Sequence, residues 1–202
     1  FVFNYDSDFF GDPVVRNKEL MLDAYRLIQL DLDKLKYSIF WISSISQFDA
    51  IAIKHIESSN FEKVIDLFEK QVSKENITKS NYTAYANLST ILYAQAEGLI
   101  NKKKPYSHIL SRAIELKCKF IESKYFNDYC QKVVNANFSC NQDNILDYFF
   151  KENLAFFKKL GINETKIQEI VSGTGSFKTH FNKKLSENII QAINHEISKA
   201  KE

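Results

Sequence analysis

The 202-residue chain is 45% apolar, with 17 Phe, 10 Tyr and one Trp, enough for a continuous core without disulfide or metal staples. Its 27 basic and 25 acidic side chains leave a net charge of +2, too weak a field to argue for nucleic acid or an anionic membrane as partner. Five glycines and two prolines are too few for a sheet-rich fold of many turns, so composition points to an all-α protein.

Residues 1–17 are aromatic and acidic around Gly11-Asp12-Pro13, which predicts an irregular lead-in closed by a turn, with a single helical domain over 18–202. Leu20, Ala24, Leu27 and Ile28 form an apolar stripe at helical spacing. After Leu30-Asp31-Leu32-Asp33 the stripe resumes at Leu35, Ile39 and Ile42 beside Tyr37, Phe40 and Trp41, predicting two helices or one kinked helix. Phe48, Ile51, Ala52, His55 and Ile56 make the next face, and Phe61, Val64, Ile65, Phe68 and Val72 the one after. Only Ser58-Ser59-Asn60 separates them, so they should form a tight antiparallel pair.

A polar connection over 73–80 leads to helices predicted near 82–99 and 105–122. They carry Tyr85, Leu88, Leu92, Tyr93 and Ala96, then Ile109, Ala113, Leu116 and Phe120, and are joined by Asn101-Lys102-Lys103-Lys104-Pro105. A shorter helix is expected over 124–137. Asp143 is the predicted cap of a helix carrying Leu146, Phe149, Phe150, Leu154, Phe157 and Leu160, with Gly161 as its terminator. A short helix over about 163–171 should end at Gly173, and a long last helix should start at Ser176 and cap the stack.

The sequence offers little to chemistry. His55, His108, His180 and His195 are scattered, and His195-Glu196 lacks the second histidine of a zinc helix, so no metal site, cofactor or catalytic residue is expected. Cys118, Cys130 and Cys140 are odd in number and widely spaced, which reads as reduced core thiols. Five Asn-x-Ser/Thr sequons, at Asn76, Asn81, Asn87, Asn137 and Asn163, are what an Asn-rich chain generates by chance. The run Ser172-Gly173-Thr174-Gly175-Ser176-Phe177-Lys178 lacks the glycine-lysine spacing of a phosphate loop and reads as an interhelix connection. No apolar run approaches the about 18 residues of a membrane span, and a cytoplasmic location is the default expectation.

Ile51-Ala52 with His55, then Ser59-Asn60-Phe61, then Val64, Phe68 and Gln71 fall in order on the characteristic positions of a tetratricopeptide repeat, and the segment resembles that family. Ser59 stands where glycine is usual, and Val64 and Gln71 where alanine is usual. A second, degenerate copy is similar at Tyr85-Ala86-Asn87-Leu88-Ser89 with Leu92, about 37 residues on, so the resemblance covers 45–121. It implies a short right-handed solenoid of stacked antiparallel hairpins, ending here in a long C-terminal helix. The implied role is that of a non-catalytic scaffold binding a protein or peptide partner. On such a solenoid the first helices line the concave face, which would place Lys54, His55, Tyr85, Asn87 and Tyr93 at partner contacts.

A weaker resemblance lies upstream. Asp23-Ala24-Tyr25-Arg26-Leu27-Ile28 with Lys34 and Tyr37 looks like the closing helices of a J-domain, although Gly11-Asp12-Pro13 is not the His-Pro-Asp such a domain uses. It implies, as an alternative, the C-terminal region of a J-domain-type co-chaperone. An orphan helical ligand-binding protein or enzyme is the remaining alternative.

Overall fold

The structure, a computed structural model, describes residues 18–73 and 76–199, so the predicted lead-in over 1–17 lies outside the described residues. Those residues form ten helices and no strand. The first six are α1 (Lys18–Leu27), α2 (Asp31–Ser38), α3 (Gln47–Glu57), α4 (Phe61–Val72), α5 (Tyr82–Asn101) and α6 (Ser107–Glu122). The remainder are α7 (Phe126–Val133), α8 (Gln142–Lys159), α9 (Glu164–Ser172) and α10 (Gly175–Lys199). The fold class is all-α, and two separate N-terminal helices replace the kinked alternative.

Local chemistry sets several of the boundaries. Ser46 and Asp49 form a capping box at α3, in which the serine hydroxyl accepts the Asp49 amide and the Asp49 carboxylate accepts the Ser46 amide. Asn141, rather than the expected Asp143, caps α8: its side-chain oxygen accepts the amides of Asp143 and Asn144, so Asp143 is itself in the first turn. Gly161, at φ +65°, ends α8 as predicted, with its amide donating to Lys158 O and that of Ile162 to Phe157 O.

The same pair of bonds closes α3 and α5 on residues other than glycine. Ser59, at φ 54°, donates to Ile56 O while Asn60 donates to His55 O; Lys103, at φ 53°, donates to Ile100 O while Lys104 donates to Leu99 O. A β-carbon in this left-handed region is strained. Ser59→Gly should therefore raise stability by up to about 1 kcal/mol, seen as a thermal midpoint higher by about 2–4 °C. An unchanged or lower midpoint would show that the turn holds no such strain.

Helices α3 and α4 pair, α4 and α3 both pack on α5, and α5 lies along α6 in the most extensive helix contact of the molecule. Small residues allow the last approach: the Ser89 hydroxyl donates to Ala113 O at 2.7 Å, and Ala86, Ser89 and Ala113 are all buried. Helix α6 then serves the other half of the chain, touching α7, α8, α9 and α10, while α2 packs on α7. The last helix contacts α6, α8 and α9. One core runs from Leu35 in α2 to Phe181 in α10. Leu27, expected in an apolar stripe, is 63% exposed. No helix among the described residues is long and apolar enough to cross a membrane.

Candidate functional site

Helix α5 is buried on every face over 81–89, because α3, α4, α6 and the 39–46 connection enclose it. Its polar side chains must therefore find partners inside the chain. The Asn87 amide donates to Ser43 O at 3.0 Å and to Asp49 Oδ1 at 2.8 Å, while its oxygen accepts the Ser43 amide at 2.9 Å. The second Asp49 oxygen accepts the amides of Ile45 and Ser46. Asp49, fully buried, is thereby held by three donors.

Lys117 of α6 is also fully buried, and no carboxylate among the described residues pairs with it. Its ammonium donates to Ile39 O, to Ala86 O at 2.9 Å and to Thr90 Oγ1 at 3.1 Å, one acceptor for each proton. Burial pushes this lysine down from 10.5 to about 7. The Tyr129 hydroxyl donates to Ser38 O at 2.8 Å. Three helices, α5, α6 and α7, thus each send one polar side chain to the backbone at the end of α2 or between α2 and α3. The network is a clamp on that connection, and Lys117 lines neither surface cavity described below.

The larger cavity is an open groove of about 880 Å³ on the outer face of α6. Its floor and walls include Val72, Ile77, Tyr85, Leu116 and Tyr125, and the α6 stripe Arg112, Glu115, Lys119 and Glu122 runs along it. Spacing of three and four residues puts those four charges on one helix face. They are already matched: Arg112 with Glu69 of α4, Lys119 with Glu115 at 2.7 Å, and Glu122 with the Ser176 hydroxyl at 2.8 Å. Exposed pairs of this kind stabilise by less than about 1 kcal/mol, so an incoming group can exchange them at little cost. Among the described residues the groove lining contains no His or Cys.

The residues expected at partner contacts do not converge there. Lys54 is exposed and His55 half-buried, both in the last turn of α3. Asn87 is fully buried with its amide spent inside, a correction to the expectation that it faces solvent. Tyr85 is 5% exposed and gives its hydroxyl to Val72 O at 3.3 Å, though its edge lines the groove. Tyr93 packs its ring on Phe149 and Phe156, and its hydroxyl meets Asn153 Oδ1 at 2.5 Å. The reason is common to all three: α5 is a central helix, enclosed on every face up to Ser89 and half-buried at Tyr93, which faces α8. A signal was present, since Tyr82 to Ala96 contains no charged residue. Lys117 had a signal too, because the buried stripe Leu110, Ala113, Ile114, Phe120 and Ile121 passes through its position.

Among the other expected features, His108 is exposed, and His180 lies against Phe150 with Nε2 2.7 Å from Asp147 Oδ1. The side chain of His195 falls outside the described residues. The 172–178 run is flanked by two contacts with α6: the Ser111 hydroxyl donates to Ile170 O of α9 at 2.6 Å, and the Glu122 carboxylate accepts the Ser176 hydroxyl at the start of α10. Among the described residues no group of His, Cys, Asp and Glu is placed to hold a metal ion. Comparisons with protein families, with curated proteins and with solved structures return no match.

Proposed function

We propose that this chain is a non-catalytic protein-interaction module of tetratricopeptide-like type, and that the groove along α6 receives an extended segment of a partner protein. The observation that carries this reading is the stripe of alternating charges, Arg112, Glu115, Lys119 and Glu122, flanked by Tyr85 and Tyr125 in an open groove. Such a surface offers exchangeable ion pairs to a partner bearing both signs of charge, and tyrosine edges for its apolar side chains. The pairing of α3 with α4, their packing on α5, and that of α5 on α6 support this reading.

Reversing two charges, Arg112→Glu with Lys119→Glu, should weaken capture of the wild-type chain's partner by roughly tenfold or more at physiological salt. Reversal of the exposed Lys183 on α10 serves as the control, with an expected change under about twofold. Quantitative pull-down and titration against the captured protein read the difference. Equal retention by both variants would remove the groove as the docking face. The groove volume also lies within the roughly 300–1,000 Å³ of small-ligand sites, but those are mostly apolar and enclose their ligand, whereas this one is charged and open. A thermal shift with small molecules and none with proteins would favour that second reading.

A further inference from the structure

Two of the three cysteines, ten residues apart in sequence, meet in space: the Cys130 and Cys140 sulfurs are 3.7 Å apart. Cys130 sits on α7 and is fully buried, while Cys140 lies half-buried in the connection between α7 and α8. Cys140 also lines a second surface cavity, of about 450 Å³, with Lys124, Asn127 and Asp143. The backbone on both sides is anchored. The α7 helix contacts α6 and α2, and Gln142 of α8 donates to Ile121 O and Ser123 O at the end of α6. Side-chain rotation is therefore what remains to bring the sulfurs into bonding range.

We infer that Cys130 and Cys140 form an intramolecular disulfide when the chain meets a small-molecule disulfide such as oxidised glutathione. The geometry assigns an order to the exchange. The Cys140 thiolate, reached through its cavity, attacks one sulfur of the oxidant and expels the first glutathione thiolate, leaving a mixed disulfide at Cys140. Cys130, after giving up its proton to solvent, attacks the Cys140 sulfur and expels the second glutathione thiolate. The two protein thiols lose two electrons and two protons, and the oxidant is reduced to two glutathione molecules. Burial raises both thiols above their ordinary range, so the exchange is slow at neutral pH and quickens as pH rises. That behaviour suits a bond made once and kept, closing the loop between α7 and α8, rather than a rapid sensor.

The test uses the whole chain, reduced and then incubated folded with oxidised glutathione at about pH 8, followed by thiol titration in denaturant. The three free thiols should fall to one, and peptide mapping should join Cys130 to Cys140. Cys118→Ser should lose both remaining thiols at the same rate. In folded Cys130→Ser a mixed disulfide should persist at Cys140, whereas in folded Cys140→Ser the buried Cys130 should stay unmodified. The oxidised chain should melt about 5–10 °C above the reduced one. Three surviving thiols, a bridge to Cys118, or a bridge between chains would overturn the assignment. Equally fast modification of Cys130 in the Cys140→Ser variant would overturn the order of attack.

Discussion

Lys117→Ala should destabilise the protein by about 3 kcal/mol, lowering its thermal midpoint by about 6–12 °C. Two losses combine. The four-carbon stem of a fully buried side chain leaves a cavity in the centre of α6, and Ile39 O loses the donor that reaches it from 78 residues away. Lys117→Met separates them, because methionine fills most of the volume but donates nothing; it should cost about 2 kcal/mol less than alanine. The pH dependence has a definite sign. The folded lysine lies near 7 and the unfolded one near 10.5, so between these values the unfolded chain binds more protons. Stability therefore rises with pH across that window through this group, and below about 7 its burial penalty is constant and complete. The gap between wild type and Lys117→Met, measured by urea unfolding from about pH 7 to 10, should widen in favour of wild type as pH rises. A gap that stays flat would mean that Lys117 keeps its proton throughout.

Phe149→Ala should cost about 4 kcal/mol, an expected fall of about 10 °C in the thermal midpoint. Phe149 of α8 is fully buried where four parts of the chain meet. Its ring centroid lies 5.9 Å from Phe40 in the α2–α3 connection, 6.4 Å from Tyr93 in α5 and 5.9 Å from Phe177 in α10. Truncation removes three aromatic contacts at once, and the edge-to-face pairs contribute beyond their area. The shape of the transition is as informative as its midpoint. With one core running from α2 to α10, the variant should still unfold in a single transition detected alike by near- and far-ultraviolet dichroism. Two separated transitions would show that α3–α6 and α7–α10 melt as independent units. Ile51→Ala, at a position 45% exposed, is the contrasting case and should cost under about 1 kcal/mol.

The helices themselves were legible because their signals are local. The tight turn at Ser58-Ser59-Asn60 and the stop at Gly161 follow from neighbouring residues, and the structure places both where the pattern puts them. The α8 cap moved by two residues to Asn141 because Asn and Asp serve almost equally there, and local preference does not choose between them. The proposed site was far less legible. Lys54 and His55 lie on the surface of α3, but Asn87 and most of Tyr85 lie within the structure, and nothing in the local pattern sets the α6 stripe carrying Arg112 and Lys119 apart from any other charged helix face.

The amino-acid sequence by itself determined that this is a helical protein, roughly where its helices lie, and that its charge balance carries no long-range field. Those properties arise from hydrogen bonds and side-chain spacing within a few residues, so a local window contains them. Tertiary structure alone decided that α5 is enclosed and that Asn87 and Lys117 clamp the α2–α3 connection. It also brought Arg112 to Glu69 at the rim of the groove and Cys130 to Cys140. Burial and pairing of that kind depend on which faces are covered by segments tens of residues away. Asn87 reaches Ser43 across 44 positions and Lys117 reaches Ile39 across 78, distances over which helical periodicity carries no information.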